Sequence, residues 1–294
     1  MENTKNNKQM LIYLSALLAI FLWASAFPGT RYALQHYSPV SLMTLRFVTA
    51  SLTLGIVGVI KKIRIPKVRD LPLFAASGLS GVFLYSLLFN FASVTLPAGV
   101  TSFVVASSPV FTMILTRIFL KEKVKAICWV GVFVSSLGLA AITLTEVTDF
   151  ALNTGMILII LAAVFSGTYS AVMRGLTKNY TALEATTYTI IIGTLGMLVF
   201  LPSAVSEISG ATFFANVIVL FMGIFPAALS YLAWGYALSK AKKTAHVTIF
   251  SYLIPFISSV LGFFWLGETL SAFTIVGGVV IIAGMLMTNV FGRD

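Results

Sequence analysis

The sequence predicts an all-α integral membrane protein, with ten transmembrane helices arranged as two inverted five-helix repeats. Three observations lead to this. Only 10% of the 294 residues are Asp, Glu, Lys or Arg, 59% are apolar, and the mean hydropathy is +1.00. An ordinary soluble domain carries about 25% charge, so this chain has too few polar groups to cover a water-facing surface, and a soluble enzyme or a disordered chain is excluded. Apolar stretches of the roughly 20 residues needed to cross a bilayer recur along the whole chain. The chain also matches itself when slid by about 146 residues.

The ten spans are read at about 10–34, 40–60, 71–91, 98–119, 125–145, 154–174, 184–203, 213–238, 246–265 and 271–291. Span 1 follows Lys5 and Lys8, and its Ala24-Ser25-Ala26 imitates a signal-peptidase site. The apolar run from Met10 to Phe27 is longer than a signal core, so we read it as a retained span. Span 2 carries Arg46 and the small pair Gly55/Gly58. Span 3 carries Tyr85, Ser86 and Asn90. Span 4 has Ser102, Ser107 and Ser108 before Pro109. Span 5 holds the single cysteine, Cys128. Span 6 offers Ser166, Thr168 and Tyr169, and span 7 the small pair Gly193/Gly196. Span 8 has Pro226 followed by Ser230, Tyr231, Trp234 and Tyr236. Span 9 has Thr248, Ser251 and Tyr252 before Pro255, and span 10 has Gly277, Gly278 and Gly284. The glycines read as close-packing points between helices. The alternating pattern of barrel strands is missing.

Basic residues set the orientation. With the N-terminus inside, sixteen of the nineteen Lys and Arg fall on the inner side, and Glu146, Asp149, Glu207 and Glu268 fall outside. This predicts an inner (cell) membrane protein with both termini in the cytoplasm. In a soluble protein the net charge of +10 and pI of about 9.8 would point to nucleic acid. Here the positive-inside pattern accounts for them, and no nucleic-acid partner is expected.

At an offset of 146, Pro109 falls on Pro255, Glu122 on Glu268, Gly131 on Gly277 and Gly138 on Gly284. At 145, Gly78 meets Gly223. At 143, Arg31 meets Arg174 and Tyr37 meets Tyr180. The halves are therefore 1–146 and 147–294. Five spans per copy is odd, so the second copy enters the membrane upside down. Inverted repeats of this kind place substrate near the midplane and support alternating access.

Proline inside a span removes a backbone donor and clashes with the carbonyl four residues back. Pro109, Pro226 and Pro255 are therefore expected helix kinks, loosening the carbonyls of Val105, Met222 and Ser251 near a water-lined space. Polar and aromatic residues cluster around these kinks. The expected substrate-binding residues are Trp23, Phe27, Tyr85, Asn90, Ser107, Ser108, Ser166, Tyr169, Tyr231, Trp234, Ser251 and Tyr252. A serine can also bond back to its own helix, and tryptophan can anchor at the interface. Every Asp and Glu lies in a tail, a loop or a span end, so no midplane carboxylate is available to carry a proton. Arg46 is the most embedded charge; it can snorkel, pair or attract a substrate carboxylate. No catalytic, phosphate-cradling or metal-ligating motif is found, and neither enzyme activity, metal nor cofactor is expected.

The chain resembles the drug/metabolite transporter superfamily, specifically its EamA-like ten-helix members. The resemblance rests on Leu22-Trp23-Ala24-Ser25-Ala26-Phe27 followed by Arg31-Tyr32-Ala33, on Leu45-Arg46-Phe47, and on Ser108-Pro109-Val110-Phe111 leading to Phe119-Leu120-Lys121-Glu122. In the second half it rests on Trp234-Gly235-Tyr236-Ala237-Leu238 and on Tyr252-Leu253-Ile254-Pro255 leading to Leu266-Gly267-Glu268. It implies exporters or permeases for amino acids and other small metabolites, with a central cavity made by helices 1, 3, 4, 6, 8 and 9. In many relatives helix 6 carries a tryptophan where this chain has Ser166. The expected function is export of a small neutral or zwitterionic metabolite, an amino acid first, by a monomer or weak homodimer; the rivals are a nucleoside permease and a membrane enzyme or receptor.

Overall fold

The computed structural model describes residues 2–96, 98–143, 154–266 and 272–292, and these are helical throughout apart from turns and short connections. The helices run in order as α1 (Glu2–Ala33), α2 (Pro39–Ile60), α3 (Val68–Thr95), α4 (Val100–Phe119), α5 (Ala126–Thr143), α6 (Thr154–Leu176), α7 (Ala182–Leu195), α8 (Phe213–Lys240), α9 (Ala245–Leu261) and α10 (Ala272–Leu286). α7 continues after a 49° bend through Leu198–Ile208. Among the described residues six helices are long and apolar enough to cross a membrane, and the bent pair makes a seventh. The expected spans 5, 9 and 10 fall on shorter apolar helices. Glu146, Asp149 and Glu268 lie outside the described residues.

Local chemistry explains several ends. Ser38 caps α2, its Oγ accepting the Ser41 N–H, with Pro39 in the first turn where no donor is lost. Thr181 and Glu184 form a reciprocal capping box at α7. α4 ends at Lys121, whose φ of 53° is left-handed. The reversed chain lets the Glu122 N–H bond back to the Thr116 carbonyl at 3.2 Å, which swings the Glu122 side chain toward α6.

Each expected kink coincides with a change of helical pitch. α4 breaks at Ser107, between Ala98–Ala106 and Ser108–Phe119, so that Pro109 sits in the first turn of the second piece. Pro226 lies in a π-helical turn, Gly223–Leu229, and the Ser230 hydroxyl donates to its carbonyl. Pro255 follows a 3-10 turn, Ile249–Tyr252. A second π turn, Leu79–Leu84 in α3, has no proline.

Small residues bring the helices close. A Cβ added at Gly131 in α5 would lie 2.6 Å from the Gly284 carbonyl oxygen, and one at Gly138 2.6 Å from that of Gly277. Rising numbers on α5 thus meet falling numbers on α10, so the two helices are antiparallel. Between these contacts the Ser135 hydroxyl donates to the Ile281 carbonyl at 3.3 Å. On the other side of the bundle, Ser51 of α2 donates to Thr194 of α7 at 2.8 Å. A Cβ at Gly78 would come 2.7 Å from the Thr189 carbonyl, and one at Gly223 2.8 Å from the Arg46 carbonyl.

Ion pairs tie the connections. Arg174 at the end of α6 pairs with Glu122 at 3.0 Å and donates to the Leu238 and Lys242 carbonyls. The same carboxylate accepts the Thr244 N–H and hydroxyl, each at 3.0 Å. Arg64 pairs with Glu184 at 2.9 Å. Tyr180 donates to Asp70 at 2.7 Å, which pushes the phenol above its ordinary pKa. Glu207 instead accepts from the Ser38 and Ser41 hydroxyls and the Ser38 N–H.

Candidate functional site

Seven helices converge on one internal cavity. α1 contributes Trp23, Ala26 and Phe27; α2 contributes Arg46; α3 contributes Gly81, Tyr85 and Phe89. Val105 and Ser108 come from either side of the α4 break, Ser166 and Tyr169 from α6, Tyr231 from α8, and Ser251 and Ile254 from the 3-10 turn of α9 and the regular helix that follows it. The cavity encloses about 590 Å³ of space between atoms, of which only about 40 Å³ could hold the centre of a water molecule. It is therefore a narrow slot, and a metabolite-sized ligand fits only after the walls part.

The π turn of α3 shapes one wall. Gly81 has no side chain, which lets the Tyr169 ring lie where a Cβ would come within 2.3 Å of it. The Gly81 carbonyl then accepts the Tyr231 hydroxyl at 2.8 Å. Tyr231 packs edge-on against Trp23, ring centroids 5.5 Å apart, and lies 5.2 Å from Tyr169. Tyr85 stacks on Phe89 at 5.8 Å, and Phe89 meets Phe27 edge-to-face at 5.4 Å. The Tyr169 hydroxyl has no hydrogen-bond partner.

Phe27 and Phe89 also border a second, wider space, about 950 Å³ between atoms, lined by Arg31, Gln35, Ser93, Thr95 and Thr101. The aromatic pair is the partition between this vestibule and the inner slot.

Arg46 decides the electrostatics. It is 7% exposed, so it does not snorkel to a surface. Its guanidinium lies 5.5 Å from the Phe47 ring centre, and its Nε has no hydrogen-bond partner. The described carboxylates are engaged elsewhere: Glu122 pairs with Arg174, Glu184 with Arg64, and Asp70 with Arg69, while Glu207 is held by Ser38 and Ser41. A cation is thus buried in an aromatic wall with none of the described carboxylates against it.

Of the residues expected from the sequence, Trp23, Phe27, Arg46, Tyr85, Ser108, Ser166, Tyr169, Tyr231 and Ser251 border the slot. Four do not. The Asn90 amide is turned away to donate to the Pro39 carbonyl at 3.0 Å. Ser107 bonds back to the Val104 carbonyl at 2.6 Å. Trp234 lies behind Trp23, ring centroids 5.1 Å apart, and its Nε1 donates to Ser170 at 3.2 Å. Tyr252 faces α5, 3.0 Å from the Ser136 hydroxyl. Phe89, missed from the sequence, could have been found from its spacing of four from Tyr85, which places both on one helical face. The small and aliphatic residues Ala26, Gly81, Val105 and Ile254 carry no such signal.

Comparison with known proteins decides the family. The EamA-like transporter family matches residues 10–144 and again residues 153–290. The chain belongs to the EamA-like transporter family. Its EamA relatives include the uncharacterized transporter YdfC of Bacillus subtilis, 33% identical over 96% of this chain and 92% of the relative. A probable terminal-alkyne amino-acid exporter of Streptantibioticus cattleyicolor is 32% identical over 93% of this chain and 91% of its own length. A probable amino-acid metabolite efflux pump of Salmonella typhimurium is 25% identical over 94% of each chain. One solved crystal structure shares the fold with a TM-score of 0.77, at 17% identity, covering 96% of this chain and 97% of that one. This EamA chain is accordingly a multi-pass membrane protein of a transporter family.

Proposed function

We propose that the chain exports a small amino-acid-type metabolite across the cell membrane by alternating access. Ten spans form two inverted five-helix repeats, residues 1–146 and 147–294, with both termini in the cytoplasm. The observation that carries this reading is the internal slot, lined from seven helices and holding a buried, unpaired Arg46 beside hydroxyls and aromatic rings. Such a mixed lining recognises a small molecule with one anionic end and an apolar body. The antiparallel α5–α10 contact and the double family match support the repeat. The exporters among the relatives support the direction and the amino-acid class. Nothing around the slot supplies a nucleophile with a base, which favours transport over catalysis.

The test is counterflow in proteoliposomes of purified protein, with labelled amino acids in one arm and labelled nucleosides in the other. Saturable exchange of an amino acid is the expected result. Exchange of nucleosides alone would replace the substrate class. Absence of any exchange by folded protein would overturn the carrier reading.

A further inference from the structure

We infer that the cavity recognises its substrate through the carboxylate and leaves the amino group without a charged partner, so that monocarboxylates lacking an ammonium are transported as well as the amino acids themselves. This rests on the exporter reading and names its substrate chemistry. The slot carries one fixed positive charge, Arg46, and none of the described carboxylates pairs with it. The vestibule beyond Phe27 and Phe89 adds a second cation, Arg31, one helical turn from Phe27. The route is thus positive along its length.

A carboxylate entering it finds a desolvated guanidinium whose donors are not already committed to a protein acid. An ammonium on the neighbouring carbon finds hydroxyls, ring faces and the loosened carbonyls of Val105 and Ser251, all of them uncharged partners, and is repelled by the same guanidinium. An acid opposite the arginine would hold the amino group by charge. Here the facing groups are Tyr85, Tyr231 and Tyr169, together with Ser108, Ser166 and Ser251. The slot is therefore complementary to a monoanion with an apolar or aromatic body.

The experiment compares four relatives of one side chain on the wild-type protein: L-phenylalanine, N-acetyl-L-phenylalanine, 3-phenyllactate and L-phenylalaninamide, with the leucine series in parallel. Binding is read in detergent from tryptophan fluorescence, since Trp23 borders the slot, and transport is read by competition in counterflow. The two acids without an ammonium are expected to compete at or below the concentration needed for the amino acid. The amide should be about 10- to 100-fold weaker, the loss that accompanies removal of a hydrogen bond to a charged group. Arg46→Gln should bring acid and amide to equal affinity while the protein remains monodisperse. Equal or tighter binding of the amide, or a tenfold loss on acetylating the amine, overturns the inference. If no carboxylate binds in either series, the inference fails as well; exchange of uridine would then still sustain the exporter reading, and absence of all exchange would sink that too.

Discussion

Ser135 of α5 donates its hydroxyl to the carbonyl of Ile281 in α10 at 3.3 Å, and the two positions are equivalent at the sequence offset of 146. A position can meet its own counterpart only on a two-fold axis. The flanking contacts obey the same rule. Gly131 meets Gly284 and Gly138 meets Gly277, each pair exchanged by that offset. Such reciprocal contacts are what the proposed inverted repeat requires. Ser51 and Thr194, equivalent at 143, meet in the same way across α2 and α7.

The α5–α10 seam should therefore be intolerant of volume. A side chain at Gly284 would start 2.5 Å from the Gly131 carbonyl oxygen. Gly284→Leu is expected to lower stability by about 1–3 kcal/mol or more through overpacking. Gly55→Ala, whose Cβ would meet nothing within 4 Å, should leave it unchanged or raise it slightly. Thermal unfolding in detergent reads both; an unperturbed Gly284→Leu would show that the helices are not so closely held.

The two ion pairs should differ sharply. The Arg174 and Glu122 side chains are each only 14% exposed, and Glu122 also holds Thr244. Arg174→Ala leaves a buried carboxylate without its cation and should cost about 3–5 kcal/mol. Arg64 is 69% exposed while Glu184, which it holds bidentately, is only 5% exposed. Glu184 keeps the Thr181 and residue-64 backbone N–H groups when the side chain is removed, so Arg64→Ala should cost only about 1 kcal/mol. Similar losses at both sites would show that the retained backbone N–H donors do not compensate Glu184.

The aromatic partition should control access. An edge-to-face pair contributes about 0.5–1.5 kcal/mol beyond its area. Phe89→Ala should therefore raise the reactivity of a cysteine placed at Ser108 toward a membrane-impermeant thiol reagent by about 2- to 10-fold. Native Cys128 is fully buried and supplies little background. An unchanged labelling rate would place the barrier elsewhere.

How far the site was legible follows from helical phase. Clusters of hydroxyls and rings near prolines pointed to helices that line the slot, because pitch changes there admit polar groups. Clustering alone does not choose a face. Ser108 borders the slot and Ser107 does not; Ser251 does and Tyr252 does not. A single residue turns the side chain by about 100°. The π turn at Leu79–Leu84 was not foreseen, since no proline marks it. Its counterpart, Gly223–Leu229, ends at the offset of 145 already visible in Gly78 and Gly223.

Arg46 and Thr189 bring the two halves into contrast. Each presents its backbone carbonyl to an equivalent glycine, Gly223 and Gly78, but only the first half carries a charge there. Thr189 instead donates to Ser77 at 3.2 Å. A lone buried cation is destabilising until an anion joins it, so substrate-free protein stores an unfavourable term that the substrate relieves. Arg46→Met keeps the unbranched stem as far as Nε and removes the guanidinium carbon, its two terminal nitrogens and the charge. It should raise the melting temperature of the substrate-free protein and abolish stabilisation by carboxylates, the usual opposition between stability and a functional site. A destabilised Arg46→Met protein would mean that the guanidinium holds the fold together.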